Sequence, residues 1–290
     1  DWAQNSNDSF AYTHPAVRLS GISPLVGDGV LRGPRTRSSL IELPDLLAEG
    51  KVTPAALQAR LFGNRNLLAQ LVLPDLLAAC AAPPSDEARD GCAALRGWDR
   101  RNNVDSRGAH LFREFWRAAS AIPGVHATPY DPAAPVATPR GLKMADAAVA
   151  DKVWAALATA VRQVRSAGFA LDAAWGSVQR PAITPAAIAL HGGDNLEGVL
   201  NNLGARGDPA LGARGVRVDY GTSYVQTVGF DDRGPVAQAL LTYGQSSDPA
   251  SPHATDQLEL YARKVWPSLP FHAEDVARQR VGEVLRLVRP

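Results

Sequence analysis

The spacing of apolar residues changes once along this 290-residue chain, and that change is the strongest constraint on its fold. From Thr53, an N-cap residue followed by Pro54 at the first helical position, apolar residues recur near helical spacing. After Gly212 the chain turns to alternating runs rich in β-branched residues, which is the pattern of strands. Helices followed by strands predict the α+β class.

The helical pattern predicts four segments. The first begins at Thr53 and is interrupted at Gly63, the second begins near Ser85, and the longest covers residues 146–167, with Gly168 placed to end it. The third carries one apolar stripe, formed by Leu111, Phe112, Phe115, Trp116 and Ala119.

Three strands are predicted after Gly212, at residues 216–220, 223–228 and 236–241. Residues 231–234, Asp-Asp-Arg-Gly, supply a turn between the last two, which predicts an antiparallel hairpin. Two other stretches show little periodicity. Residues 1–40 predict mostly loop with a strand-like run at 9–13, and residues 122–142, with five prolines, predict a surface excursion or the wrapping arm of a larger assembly.

The composition is that of an ordinary globular protein, with 46% hydrophobic and 20% charged residues and a formal net charge of +1. A chain so nearly neutral is not expected to bind nucleic acid or an anionic membrane surface. The longest apolar runs are broken by Asp, Gln or Pro, so we expect no membrane span and a soluble protein. The polar opening without Met indicates that residue 1 is not the natural translation start.

Familiar catalytic patterns are missing from the sequence. Gly221-Thr222-Ser223 and Gly244-Gln245-Ser246 both lack the closing glycine of the G-x-S-x-G nucleophile turn. Cys80 and Cys92 enclose a loop that is able to close, and the residues leave open whether they form a disulfide. A pair at this spacing is more often bridged than catalytic.

Metal and phosphate sites receive little support from spacing. His191 with Asp194, and His253 with Asp256, each offer a nitrogen and an oxygen, but neither pair follows the spacing of a helical zinc site. The alternative for His253 is a structural hydrogen bond in a loop. The glycines at 192–193 and at 212 and 215 lack the strand and helix that a phosphate loop requires. No metal ligand is therefore assigned, and these residues alone support only an α+β domain.

Three stretches nonetheless resemble the penicillin acylase family. The first is Asn5-Ser6-Asn7-Asp8-Ser9, which is most similar to the form found in the aculeacin A and acyl-homoserine-lactone acylases of that family. The second is Gly33-Pro34-Arg35-Thr36-Arg37. The third and most specific is Gly244-Gln245-Ser246 followed by Ser251-Pro252-His253 and Asp256-Gln257, the closing signature of the family.

The resemblance implies an αββα N-terminal-nucleophile hydrolase with a helical layer and antiparallel strands. In such enzymes a precursor cleaves itself, and the exposed N-terminal serine of the large (β) subunit attacks an amide. The matching positions imply that Asn7 donates to the oxyanion and that Arg35 lies beside it, with Arg37 as the competing arginine. Asn5 and Asp8 are expected to be turn or supporting residues, and His253 to be structural.

The same resemblance divides the chain, as the C-terminal portion of the β subunit, into four parts. Residues 1–40 hold an active-site strand and loops, 41–120 a helical layer, 121–214 a Pro-rich arm and long helix, and 215–290 antiparallel strands and a closing loop. The serine lies outside this chain, so the isolated chain is expected to be inactive. Its partners would be a small acyl amide substrate, the rest of the β subunit and the α subunit.

The family also bears on function, location and cofactors. It implies hydrolysis of an acyl-homoserine lactone, a lipopeptide or a penicillin-type amide, and the alternative is a non-catalytic extracellular binding or scaffold module of the same fold. Export to the periplasm or the medium favours a Cys80–Cys92 disulfide. Some members use calcium, but no Asp or Glu occurs between Asp8 and Asp28, so no cofactor is assigned.

Overall fold

Helices and short sheets both form in the computed structural model of this chain. It describes residues 2–8, 12–17, 19, 21, 23, 25, 32–50, 52–182, 188–206 and 210–289. Part of the strand-like run at 9–13 lies outside the described residues. The mixed helix and sheet content of the described residues is that of the α+β class.

The helices lie mainly in the first two thirds of the chain. They are α1 (Pro34–Ala48), α2 (Pro54–Leu61), α3 (Leu67–Ala79), α4 (Asp86–Gly97), α5 (Ala109–Ala119), α6 (Ala147–Ser166), α7 (Trp175–Val178), α8 (Asp256–Ala262) and α9 (Ala273–Gln279).

Three helices begin where the sequence predicted, at Thr53, near Ser85 and at Asp146. The side chains of Thr53, Ser85 and Asp146 accept hydrogen bonds from the first-turn amides of α2, α4 and α6. The break at Gly63 separates α2 from α3, and Gly168, with a φ of 84°, follows the end of α6. All five stripe residues of α5 are buried. The four predicted helical segments are confirmed.

Helix α1 begins within residues 1–40, where no helix was predicted. Helix α1 begins at Pro34, whose fixed φ suits the first helical position and whose missing N–H costs nothing there. Gly33 precedes it and has no side chain to act as a cap. The density of Gly and Pro in this stretch therefore concealed a helix start.

The strands form three small sheets among the described residues. Strand β1 (Gln179–Pro181) pairs with β3 (Val216–Val218), and β2 (Leu203–Gly204) pairs with β4 (Tyr220–Gly221). The third sheet has the strand order β5 (Tyr224–Asp231), β6 (Gly234–Leu241), β7 (Ser268–Leu269). The predicted hairpin is confirmed, since β5 and β6 pair antiparallel and Asp231 faces Gly234 across the turn.

The predicted strand at 216–220 is divided in two. Its first half, β3, pairs parallel to β1, whereas only antiparallel strands were expected in this part of the chain. Asp219 separates the halves: its N–H donates to Gly204 O at 3.0 Å, and its carboxylate accepts from Arg206 N at 3.0 Å. A side chain that bonds to the backbone in this way ends the regular ladder.

The main apolar core lies between α3, α4, α5 and α6. Helix α4 approaches α6 at Gly91, where a Cβ would lie 2.9 Å from Leu157 Cδ1. Cys80, at the end of α3, is bonded to Cys92 in α4, with the two Cα atoms 5.9 Å apart, which confirms the disulfide. Closing a loop of this size stabilises the fold by about 3 kcal/mol in the chain-entropy estimate.

The proline-rich stretch 122–142 contains no helix or strand of its own. It is tied to the rest of the chain, since Val125 and Leu142 are buried, Gly141 N donates to Leu71 O at 3.0 Å and Leu142 N donates to Asp75 Oδ2 at 2.7 Å. No helix in the described part of the chain is long and apolar enough to cross a membrane.

Candidate active site

Asn7 lies in a tight turn that is held by its own side chains. Asn5 Oδ1 accepts from Asn7 N at 2.8 Å, and Asn5 Nδ2 donates to Asp8 O at 3.2 Å. The φ of Asn7 is 57°, a left-handed conformation that asparagine tolerates better than most residues do. The turn exposes Asn7 to solvent.

The guanidinium of Arg35, in the first turn of α1, fixes the orientation of the Asn7 side chain. Arg35 Nη2 donates to Asn7 Oδ1 at 2.7 Å. Because a guanidinium has no acceptor, the atom that faces it must be the amide oxygen, and the Nδ2 group points elsewhere. No described residue accepts a hydrogen bond from Nδ2. An oriented N–H donor is thus presented to solvent.

A third side chain, distant in sequence, holds Arg35. Arg35 Nε donates to Asn195 Oδ1 at 2.9 Å. Asn195 begins a short 3₁₀ turn, Asn195–Glu197, that is fastened by a capping box: Asp194 accepts from Leu196 N, and Glu197 accepts from Asp194 N. The arginine fork is therefore bound at two points, which restricts its rotation.

Asp8 supplies the cap that α1 lacks. Its Oδ2 accepts from Gly33 N at 3.0 Å and from Thr36 Oγ1 at 2.7 Å. The carboxylate lies at the positive end of the helix dipole, where a negative charge is stabilising. Since Asp8 follows Asn7 directly, the same contact joins the turn to the helix that carries Arg35.

A second set of hydrogen bonds joins the turn to α1 one helical turn further along. Ser39 Oγ donates to Gln4 Oε1 at 2.6 Å and lies 3.0 Å from Ser6 Oγ. Gln4 also bonds to the next segment, from its N–H to Thr13 O and from Nε2 to Tyr12 O, each at 2.8 Å. The segment that presents Asn7 is thereby fixed on both sides.

Burial shifts the pKa values of two ionisable side chains near the site, Arg35 and Glu197. Burial lowers the pKa of Arg35, and the nearby Asp8 carboxylate opposes this shift. Glu197 is fully enclosed; burial, and secondarily the Asp194 carboxylate, raise its pKa to about 7. Arg35 stays cationic at neutral pH, as arginine does in proteins.

The penicillin amidase family model matches residues 1–278. The chain belongs to the penicillin amidase family. This confirms the resemblance seen in the motifs at both ends of the chain.

Individual members of the penicillin amidase family are similar along almost the whole chain. The acyl-homoserine lactone acylase PvdQ of Pseudomonas syringae pv. syringae is 38% identical over 290 residues, which cover 98% of this chain and 37% of that protein. The protein of the same name from Pseudomonas putida is 37% identical over 276 residues, covering 93% of this chain and 34% of that protein.

The aculeacin-A acylase of Actinoplanes utahensis is 33% identical over 305 residues, which cover 100% of this chain and 37% of that protein. The chain thus spans little more than a third of the length of the curated relatives it matches.

The two candidate arginines, Arg35 and Arg37, make different contacts in the structure. Arg35 contacts Asn7, whereas Arg37 donates from Nε to Val136 O at 2.8 Å, in the proline-rich stretch. Consecutive odd positions on a helix point about 200° apart, so the two side chains leave α1 in different directions. The geometry therefore favours Arg35 as the partner of Asn7.

The histidines considered as metal ligands make structural hydrogen bonds. His191 Nδ1 accepts from Val104 N at 3.2 Å, so its Nε2 carries the proton and donates to Ala262 O at 3.0 Å. His253 Nδ1 lies 2.9 Å from Asp256 Oδ2. Burial and the nearby Lys264 lower the pKa of His191 to about 4, so it is neutral at pH 7.

Calcium does not fit the donors near Asn7. The Asp8 carboxylate is already bonded to Gly33 N and Thr36 Oγ1, and Arg32 Nη1 lies 3.4 Å from its other oxygen. Among the described residues, no three His, Cys, Asp or Glu side chains are grouped so that they could hold a metal ion. The described part of the chain therefore provides no calcium site beside Asn7.

Asn195 is the site residue that sequence reasoning missed. It lies 160 residues from Arg35 in the chain, and spacing carries no information about such a contact. One local signal was present: Asp194 and Glu197 have the spacing of a capping box, which marks the start of a short helix. Sequence reasoning had instead considered Asp194 with His191 for metal binding.

Proposed function

We propose that this chain is the C-terminal portion of the β subunit of an acylase that hydrolyses an acyl amide, and that Asn7 is its oxyanion donor. The observation that carries the proposal is the exposed Asn7 amide, whose oxygen is held by Arg35 and whose Nδ2 group faces solvent. Membership of the penicillin amidase family supports it.

The chemistry follows from the balance of charge in amide hydrolysis. When a nucleophile attacks the carbonyl carbon, the oxygen gains a negative charge that a fixed N–H donor stabilises. Asn7 Nδ2 is such a donor, and it is neutral, so pH does not remove it. Arg35 contributes by holding the donor in place, which avoids reorganisation when the charge develops. The amide C–N bond then breaks, and the leaving amine takes up the proton that the attacking hydroxyl has lost. Water then cleaves the resulting acyl ester, which releases the carboxylic acid and restores the hydroxyl.

The nucleophile in this proposal is an N-terminal serine in the part of the protein that lies outside this chain. That part and this chain together would complete an αββα fold, and the α subunit of the same precursor would complete the enzyme. The lengths of two relatives agree with this arrangement, since this chain covers 37% of the acylase from Pseudomonas syringae pv. syringae and 37% of the acylase from Actinoplanes utahensis.

The substrate is proposed to be an acyl-homoserine lactone, a lipopeptide or a penicillin-type amide. The names of the relatives, acyl-homoserine lactone acylase and aculeacin-A acylase, support acyl amides as the substrate class. The comparisons offer no support to a non-catalytic binding or scaffold module. We place the protein in the periplasm or outside the cell, because the Cys80–Cys92 disulfide suits an oxidising compartment.

The proposal is tested in the full-length protein with Asn7→Gly. Glycine adopts the positive φ of Asn7 without strain, so this variant removes the amide and keeps the turn. We expect kcat to fall about 10²- to 10³-fold while precursor processing and the fold are retained. Arg100→Gly is the matched control, because Arg100 also has a positive φ, of 58°, and takes no part in this cluster. Full turnover by Asn7→Gly would remove Asn7 from the mechanism.

A second measurement tests the division of the active site. The 290-residue chain on its own should not hydrolyse a chromogenic acyl amide, whereas the whole processed protein should do so. Hydrolysis by the isolated chain would show that it contains a nucleophile of its own.

A further inference from the structure

A cavity of about 400 Å³ lies beside the candidate active site and shares its supporting elements. Pro34 and Arg37 border it from α1, and Asp194 and Leu196 border it from the 3₁₀ turn that anchors Arg35. Its volume is in the range of small-molecule binding sites. None of the roles assigned above uses this cavity.

The walls are mostly apolar, with a few basic groups that converge on the space. Leu68, Trp116, Leu196 and Pro139 provide much of the apolar lining. The positively charged lining residues are Arg32, Arg37, Arg113 and Arg117. A mostly apolar cavity with a few polar groups is the usual composition of a ligand site.

The carboxylates near the cavity are already committed to other partners. Glu114 binds both Arg113, at 2.6 Å, and Arg117, at 2.9 Å. Asp194 caps the 3₁₀ turn, and Glu197 accepts from Asp194 N and from Asn66 Nδ2. These groups are therefore not available to balance Arg37.

Of the arginines that line the cavity, Arg37 has no carboxylate partner in the described part of the chain. Its residue is 2% exposed, and no carboxylate of the described residues lies within ion-pair distance of it. Nε donates to Val136 O, but Nη2 is buried and has no hydrogen-bond partner in the described part of the chain. Burial lowers the pKa of Arg37 to about 10, so the group is still charged at neutral pH.

A buried guanidinium with a free donor is unfavourable unless an anion joins it. The neighbouring His126 carries no negative charge in either protonation state, and its Nδ1 lies 3.2 Å from Gly141 O. The planar fork of arginine suits the two oxygens of a carboxylate, and apolar walls suit an alkyl or aryl body better than a hydrated phosphate.

We propose that this cavity is a carboxylate-binding site in which Arg37 holds the carboxylate and Trp116 and Leu68 contact the apolar group that bears it. The carboxylate has two possible sources with the same chemistry. One is a free monocarboxylic acid, and the other is an Asp or Glu side chain from the part of the protein outside this chain. The first source is independent of the proposed acylase function, and the second rests on it.

The experiment uses the whole protein and hexanoate as the probe, with hexanol as the uncharged control of equal chain length. Binding is followed by calorimetry and by the shift in melting temperature. We expect saturable binding of hexanoate, no comparable binding of hexanol, and a loss of about 10- to 100-fold in affinity in Arg37→Gln. Arg37→Lys keeps the charge and loses the planar guanidinium, so its affinity for hexanoate should lie between those of the wild type and Arg37→Gln.

Arg107→Gln is the matched control. The Arg107 side chain is 60% exposed, pairs with Asp172 and lies outside the cavity lining, so its loss should change the affinity less than about threefold. The melting temperature and circular dichroism of each variant without hexanoate show whether it is folded. Because the readout is binding, loss of amide hydrolysis alone would not affect the result.

If the carboxylate is instead an Asp or Glu side chain from outside this chain, the measurements should give a different set of results that also supports the site. Hexanoate would then have no effect, Arg37→Gln would lower the melting temperature, and one Asp→Asn or Glu→Gln substitution outside this chain would couple with it in a double-mutant cycle. The proposal is overturned if Arg37→Gln binds hexanoate as the wild type does. It is also overturned if hexanoate does not bind and no carboxylate couples with Arg37.

Discussion

Arg35 and Asn7 are joined by a hydrogen bond of 2.7 Å that determines which end of the Asn7 amide faces solvent. Without the guanidinium, the amide could rotate and present either its oxygen or its nitrogen. An oxyanion site needs the nitrogen. The contact therefore converts an ordinary turn asparagine into an oriented donor.

Asn195 is predicted to act on catalysis through Arg35. In the whole protein, Asn195→Leu removes the acceptor for Arg35 Nε and should lower kcat about tenfold with little change in KM. Asn195→Asp retains an oxygen acceptor and should restore most of the activity. A purely structural role would instead reduce both variants through stability, which thermal denaturation measures. Equal kcat in Asn195→Leu and the wild type would contradict the prediction.

Asp8 is predicted to stabilise the start of α1. Asp8→Ala leaves Gly33 N and Thr36 Oγ1 without their acceptor and should cost about 1–2 kcal/mol of unfolding free energy, the usual effect of losing a cap. Asp45→Ala is the matched control, since Asp45 lies near the other end of α1, where a negative charge gains nothing from the dipole. Denaturant unfolding of both variants measures the difference, and equal losses would contradict a capping role for Asp8.

Gly244 is predicted to be required by packing. A Cβ at this position would lie 2.1 Å from Ala254 O, because the backbone of Gly244 packs directly against the Ala254 carbonyl. Gly244→Ala should therefore destabilise the protein by roughly 1–3 kcal/mol or more. Gly97→Ala is the control: a Cβ there meets nothing within 4 Å, and the residue ends α4, so the change should be neutral or slightly stabilising. The melting temperatures of the two variants decide the point.

Local signals predicted the helices better than the small sheets. Thr53, Ser85 and Asp146 cap their helices through contacts within four residues, which a sequence displays directly. Helix α1 was missed because its cap, Asp8, is 25 residues away from Gly33. The parallel pairing of β1 with β3 joins strands more than 30 residues apart, and alternation does not reveal direction.

The contacts of the candidate site could not be predicted from local sequence either. Asn7 and Arg35 were proposed from the family motif, since an Asx turn explains Asn7 equally well without it. Their contact and the anchoring by Asn195 are properties of the folded chain. The unpaired state of Arg37 was equally invisible, because a sequence does not reveal which arginines are buried.

Two buried groups predict opposite pH dependences of stability. The pKa of Glu197 is raised from 4.5 to about 7, so between these values the folded protein binds more protons than the unfolded chain. The contribution of Glu197 therefore falls as pH rises through this window. The pKa of His191 is lowered from 6.5 to about 4, so in that window the unfolded chain binds more protons, and the contribution of His191 rises with pH.

The two slopes nearly cancel in the wild type between pH 4.5 and 6.5, so a single-site variant is needed to separate them. Glu197→Gln keeps the shape of the side chain and cannot ionise. Relative to this variant, the wild type should lose stability as pH rises from about 4.5 to 7, by on the order of 3 kcal/mol at 1.4 kcal/mol per pKa unit. Urea unfolding of both proteins at a series of pH values measures the difference. A difference that stays constant across this range would show that Glu197 does not titrate there.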